Sequence, residues 1–169
     1  SHKYESQRGI NPNTPIYDGK DMLLVLNGYE RGAVMLRLTN GGRSVEEVWK
    51  DDDFKSKHGG IVKIGNYFYA GGDDRGGRDW HCVDWNTGKM QWKNRDLMSG
   101  VVIADADDML YIYSERGEMA LVKANPAKFD LVSQFPITLG TAQHWAHPVI
   151  YKGVLYVRHG DTMMAYKIK

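Results

Sequence analysis

The sequence repeats one pattern four times: two short apolar strands joined by a glycine turn. The second strands read Met22-Leu23-Leu24-Val25, Tyr67-Phe68-Tyr69-Ala70, Met109-Leu110-Tyr111-Ile112 and Val154-Leu155-Tyr156-Val157. Their equivalent positions, Leu24, Tyr69, Tyr111 and Tyr156, are 45, 42 and 45 residues apart. A repeat of this length with several strands per unit is typical of β-propeller blades. We therefore predict an all-β domain over residues 1–169, built from about four blades of four antiparallel strands.

The four predicted blades differ at their ends. They extend over residues 14–50, 59–93, 100–135 and 146–169, and the first three close with a strand carrying Trp49, Trp92 or Phe135. The fourth has only three strand-like runs, which leaves an open edge that normally recruits a partner strand. Residues 1–13, with Tyr4 as their aromatic residue, are the candidate closing strand. Four blades can close a ring alone, but the short fourth unit favours half of a larger propeller, completed by a missing N-terminal half or a second chain.

Charge and cysteine content narrow the function classes. The chain has 22 basic and 21 acidic residues, a net charge of +1, so it has no basic field that would attract nucleic acid. No apolar run approaches the ~18 residues of a membrane span. The single cysteine, Cys82, excludes an internal disulfide but does not decide the cellular compartment.

The second unit contains a compact turn motif from Cys82 to Trp92. Thr87 and Gly88 suit a tight hairpin, because glycine readily adopts a positive φ, and Asp84 can bond the turn amides. The small residue at position 82 leaves room for a tryptophan from a neighbouring blade. Trp92 supplies a large ring whose N–H needs a partner. The motif resembles the tryptophan-docking motif of quinoprotein-type propellers, Ala-x-Asp-x-x-Thr-Gly-x-x-x-Trp, with cysteine in the alanine position.

The chain therefore resembles the PQQ-like β-propeller repeat proteins, the superfamily of the quinoprotein alcohol dehydrogenases and the outer-membrane assembly lipoprotein. In that superfamily the motif is structural, so we expect Trp49 and Trp92 to be largely buried between blades, with each indole N–H bonded to a backbone carbonyl. The resemblance also implies a bacterial protein that is periplasmic or otherwise exported.

The dehydrogenases of this superfamily carry adjacent cysteines over the quinone and a calcium ion held by acidic and amide side chains. Here Cys82 occupies a structural position, and no segment matches those ligands. The sequence thus favours a non-enzymatic scaffold or binding module without a cofactor, which uses its blade-top loops and channel mouth to bind a protein or small ligand. The alternative is the C-terminal half of a dehydrogenase for sugars or alcohols that depends on PQQ and calcium, with most cofactor ligands in a missing N-terminal half.

Polar residues cluster where the innermost strands begin. They are His58, His144, His147, His159 and Asp161. Innermost strands start at the rim of a propeller channel, so these side chains are candidates for a binding site at the channel mouth. Imidazole and carboxylate groups can bind metals, but this spacing is not a metal motif, and we assign neither a metal nor a catalytic residue. The alternative is that the histidines bond backbone carbonyls and cap turns.

An acid–arginine–glycine sequence recurs in the turn after each second strand. It reads Glu30-Arg31-Gly32, Asp74-Arg75-Gly76, Glu115-Arg116-Gly117 and, altered, Arg158-His159-Gly160. Neighbouring residues on a strand point in opposite directions, so each arginine would pair with the acid of the next blade in a ring of ion pairs. The alternative is that the arginines bind an anionic ligand.

Overall fold

The computed structural model describes residues 2–6, 9–29, 31–57, 59–72 and 78–168. Within these ranges, fifteen strands form four antiparallel sheets that follow one another along the chain as blades. A 3-10 turn at Asn40–Gly42 joins the third and fourth strands. The predicted all-β fold of about four blades is confirmed.

The first three blades have four strands each, in sequence order, and the fourth has three. The first contains β1 (Ile16–Tyr17), β2 (Met22–Asn27), β3 (Gly32–Thr39) and β4 (Ser44–Asp51). The second contains β5 (Ile61–Ile64), β6 (Tyr67–Gly71), β7 (Trp80–Asp84) and β8 (Met90–Asn94). The third contains β9 (Gly100–Ala104), β10 (Met109–Ser114), β11 (Glu118–Lys123) and β12 (Asp130–Pro136). The fourth contains β13 (Val149–Tyr151), β14 (Val154–His159) and β15 (Thr162–Lys167).

The hydrophobic core lies between successive blades. Alternating apolar side chains on each strand point to the two faces of a blade, and each face packs on a neighbour. Leu24 and Met35 of the first blade pack with Phe68 of the second, and all three are completely buried. Two further clusters join the second blade to the third and the third to the fourth. In the part of the chain that the structure describes, no such cluster joins the fourth blade to the first.

Glycines allow the first strands of neighbouring blades to approach closely. A Cβ on Gly59 would lie 2.4 Å from the carbonyl oxygen of Gly100, and the Val102 N–H donates to the Gly59 carbonyl at 2.9 Å. Each first strand starts opposite the end of the second, as Gly100 opposite Ser114 shows. The entry loops of the first strands and the turns after the second strands therefore share one end of the molecule, which we call the top.

The N-terminal segment contacts the first blade without joining a sheet. Residues 2–6 and 9–13 lie outside the four sheets, and the Tyr4 hydroxyl donates to the Gly32 carbonyl at 2.6 Å. The guanidinium of Arg31 lies 5.1 Å above the Tyr4 ring. The described residues of the candidate closing strand thus form no strand in the single chain, and its pairing in an assembly stays a prediction.

Candidate functional site

A cavity of about 350 Å³ opens where the blades begin, at the top. Its lining consists of residues 12–16, Gly60, Ile61, Val102 and His147. The first three blades contribute the starts of their innermost strands, and His147 comes from the segment before β13. The sequence predicted a binding site at the channel mouth, and the use of this cavity as that site stays a prediction. Among these lining residues, His147 is the ionisable one.

Gly60 makes room for the His147 imidazole. It has a φ of +64°, and a Cβ there would lie 2.9 Å from His147 Cε1. Asn13, another lining residue, donates from its side-chain amide to the carbonyls of Leu26 at 3.1 Å and Ser56 at 2.7 Å. Both parts of the lining are therefore fixed by packing and hydrogen bonds, which suits a site formed before its ligand binds.

Two of the other predicted histidines, His144 and His159, lie in a separate cluster beside the turns of the third and fourth blades. The His144 and His159 rings stack with centroids 3.7 Å apart, and His144 Nδ1 lies 2.5 Å from the Tyr113 hydroxyl. The two ring nitrogens of His159 lie 2.8 Å from the carbonyl oxygens of Leu139 and Ala142. Burial, with the neighbouring His159 as a second cause, lowers the pKa of His144. These contacts attach the segment before β13 to the third blade through Tyr113 and to the fourth blade through His159.

Asp161 has a local structural contact. Its Oδ1 accepts a hydrogen bond from the Thr141 hydroxyl at 3.2 Å and another from the Thr162 hydroxyl at 3.3 Å. The structure thus places one predicted residue, His147, on the cavity wall. His144, His159 and Asp161 belong to the turn cluster instead, and His58 lies outside the described residues.

The cavity lining does not fit a quinone held by calcium. The described residues of the lining include no carboxylate for the cation and no arginine for an anionic quinone. Across the described ranges, no group of three or more histidine, cysteine, aspartate or glutamate side chains could hold a metal ion. Cys82 is completely buried on β7, and burial raises the pKa of its thiol to about 11. A thiol protonated at neutral pH is a poor nucleophile.

The turn motif of the second blade makes contacts with both neighbouring blades. The Asp84 carboxylate accepts from the amide N–H and hydroxyl of Thr87 at 2.8 and 2.9 Å. Two indole N–H groups cross to the next blade, from Trp49 to the Trp85 carbonyl at 3.0 Å and from Trp92 to the Asn125 carbonyl at 2.8 Å. Each tryptophan is partly exposed, so it packs at the rim of the interface rather than at its centre. The motif residues therefore have structural contacts.

Sequence reasoning missed a buried pair of titratable side chains in the second blade. Asp79 and His81 are buried, with His81 Nε2 3.0 Å from one carboxylate oxygen of Asp79. Burial outweighs the attraction of Asp79 and lowers the pKa of His81 to about 4. The other oxygen of Asp79 lies 3.5 Å from Arg95 Nε. The alternation Asp79-Trp80-His81 at the start of a strand was the available signal, because it places both polar side chains on one face.

The predicted ring of ion pairs is not found among the described residues. Arg31 lies over Tyr4, and Arg158 donates to the Gly160 carbonyl at 2.9 Å. Arg116 has no carboxylate within ion-pair distance in the described ranges, while Glu30, Asp74 and Arg75 lie outside them. The arginines of successive turns make different contacts because each turn has different neighbours.

Comparison with known proteins identifies the fold. No family model and no curated protein matches the sequence. The structure is similar to BamB from Moraxella catarrhalis, with 13% identity and a TM-score of 0.69 over 93% of this chain and 46% of that one. It is also similar to a europium-containing methanol dehydrogenase, with 14% identity and a TM-score of 0.53 over 75% of this chain and 24% of that one.

These likenesses confirm the predicted β-propeller fold. The chain spans less than half the length of either solved structure. It therefore corresponds to part of a propeller, as the sequence predicted.

Proposed function

We propose that this chain is a non-enzymatic scaffold, a partial propeller that binds further blades and presents its channel mouth and blade-top loops to a protein or small ligand. One observation carries the proposal. The outer face of the fourth blade exposes large apolar side chains, with Val149, Tyr151 and Met163 57, 59 and 68% exposed.

The exposed side chains alternate with buried ones along the same strands. Ile150 and Met164 point to the third blade, while their neighbours Val149, Tyr151 and Met163 point away from it. In the second and third blades both faces pack on a neighbouring blade. An apolar patch at the place where another blade would follow supports docking of a further blade.

Two sources could supply the further blades: the remaining length of a longer chain, or a second chain. The 46% coverage of the BamB structure supports a missing part of similar size. For the 169-residue chain alone, we expect self-association through the open face, because burial of apolar surface is the main driving force of association.

Analytical ultracentrifugation over a range of concentrations tests this proposal. We expect concentration-dependent association that Met163→Lys weakens. Val132→Lys is the matched control, because Val132 is also on a strand and 58% exposed, but on the outermost strand of the third blade. A chain that stays monomeric at every concentration, or that loses association equally in both variants, would contradict the proposal.

The alternative function, the C-terminal half of a quinone-dependent dehydrogenase, has a direct test. Titration of the chain with PQQ and calcium, followed by absorbance, should show no saturable binding if the scaffold proposal is right. Saturable binding that requires calcium would instead support the enzyme, with ligands different from those that line the cavity.

We further propose that the protein is exported, which the resemblance to bacterial quinoproteins and the outer-membrane assembly lipoprotein supports. Over the described residues, the structure contains no apolar helix of membrane-spanning length. Fractionation of a bacterial host that expresses the natural gene, with a periplasmic marker as reference, tests the location.

A further inference from the structure

Three arginines line a cleft between the second and third blades at the top. The cleft has a volume of about 290 Å³ and includes Arg78, Arg95 and Arg116, together with Asp96 and Glu118. Arg78 precedes β7, Arg95 and Asp96 follow β8, and the turn between β10 and β11 carries Arg116. Residues from both blades therefore face one cleft, and this cleft is separate from the cavity that His147 lines.

The backbone around the cleft is cross-linked. The Ser99 N–H donates to the Arg78 carbonyl at 3.1 Å, and the Glu115 N–H donates to the Ser99 carbonyl at 3.0 Å. The indole N–H of Trp80 donates to the Met98 carbonyl at 3.0 Å. These bonds connect the segments that carry the three arginines, so the cleft keeps its shape without a ligand.

The acidic side chains of the cleft bond within their own blades. The Asn94 amide donates to the Asp96 carboxylate at 2.8 Å, and the Ser114 hydroxyl donates to Glu118. Arg95 lies 3.5 Å from the buried Asp79 and offsets its charge. In the described ranges, Arg78 and Arg116 have no carboxylate within ion-pair distance, which leaves their guanidinium groups available to a ligand.

We propose that this cleft binds a small hydroxylated anion, whose carboxylate or phosphate contacts Arg78 and Arg116. A guanidinium presents planar pairs of N–H donors that match carboxylate and phosphate oxygens. Asp96 and Glu118 are hydrogen-bond acceptors, so they favour a ligand that also carries hydroxyl groups. A volume of about 290 Å³ is close to the lower end of the range of small-molecule sites, which suits a hydroxy acid or a sugar phosphate rather than a larger anion.

Isothermal titration calorimetry of the full chain tests the proposal, with gluconate as the carboxylate probe, glucose 6-phosphate as the phosphate probe and glucose as the neutral control. The test variant is Arg78→Gln/Arg116→Gln. The control variant is Arg37→Gln/Arg158→Gln, which removes the same charge outside the cleft. The single variants Arg78→Gln and Arg116→Gln, both at exposed positions, replace the double variant if its melting curve shows unfolding.

We expect saturable binding of at least one anion and none of glucose. The cleft variant should weaken binding by about tenfold or more, which corresponds to about 1.4 kcal/mol, because it removes charge-assisted hydrogen bonds to the anion. The control variant should bind as the parent does, and the preferred probe identifies the anion as carboxylate or phosphate. The proposal is overturned if neither anion binds saturably, or if the control variant weakens binding as much as the cleft variant.

Discussion

The indole ring of Trp49 lies directly against Gly88 of the next blade. A Cβ added at Gly88 would lie 2.7 Å from Trp49 Cδ2 and Cε3, and the φ of Gly88 is +70°. The glycine therefore meets two separate requirements: the backbone conformation of the hairpin and the space for a neighbouring tryptophan.

Gly88→Ala should destabilise the protein more than an alanine at a glycine with similar φ and open space. Gly65 is the matched control, with a φ of +56° and no atom within 4 Å of its Cβ position. Gly65→Ala should cost about 1 kcal/mol for the left-handed backbone. Gly88→Ala should cost about 1–3 kcal/mol more, from the contact with Trp49. Urea unfolding measures both, and equal losses would contradict the packing of Trp49 on Gly88.

Trp92 should stabilise the interface between the second and third blades through both its ring and its N–H group. Trp92→Ala should lower the free energy of unfolding by about 3–5 kcal/mol. Trp92→Phe keeps most of the packing and should lose about 1 kcal/mol, because it removes the hydrogen bond to the Asn125 carbonyl. Gln91→Ala is the control, because Gln91 is exposed on the same strand. If Trp92→Ala melts within a degree or two of the parent, the interface assignment is wrong.

The strands could be predicted from the sequence because their signals are local. The repeat predicted a strand that contains Met109-Leu110-Tyr111-Ile112, for example, and the structure has a strand at Met109–Ser114. The separation of His147 from His144 could not be predicted in this way. It depends on the path of the segment before β13, where Gly140 and Ala142 have positive φ values of 93° and 70°. That path is fixed by contacts with other blades, which residue spacing does not encode.

The sequence indicated only one of the three arginines of the proposed anion cleft, for the same reason. Arg116 belongs to the recurrent acid–arginine–glycine turn, but Arg78 and Arg95 belong to no repeat. They meet Arg116 because the turns of two blades lie side by side, which requires the register of both sheets. Repeats identify equivalent positions within blades, whereas the sites form between blades.

The stability of the protein should fall in mild acid because His81 is buried as the neutral imidazole. Its pKa is lowered from 6.5 to about 4 in the folded chain. Above pH 6.5 the histidine is neutral in both states, so its contribution is fully present. As the pH falls from 6.5 towards 4, the unfolded chain binds a proton and the folded chain does not, so stability is lost. At pH 5 the loss from this group should be about 2 kcal/mol.

Urea unfolding of the parent and of His81→Gln between pH 7.5 and 5 checks this prediction. Glutamine does not titrate and keeps an N–H donor towards Asp79, so the variant should lose less stability than the parent over this range. Parallel curves for the two proteins would show that His81 does not cause the acid dependence.

The segment before β13 should lose its order when its histidine anchor is removed. His159 is buried, and its two nitrogens lie 2.8 Å from the carbonyls of Leu139 and Ala142. His159→Leu keeps a side chain of similar size but removes the N–H that the imidazole donates to one of these carbonyls, and a hydrogen bond of this kind contributes about 0.5–1.5 kcal/mol. The segment can relieve that cost by moving into water, whereas β14 remains paired with β13 and β15.

Hydrogen exchange followed by mass spectrometry should therefore show faster exchange in residues 138–147 and unchanged exchange in the middle of β14. Asp161→Asn is the control, because an asparagine oxygen can still accept from the Thr141 hydroxyl. Faster exchange throughout the fourth blade, or no change in the segment, would contradict the role of His159 as the anchor.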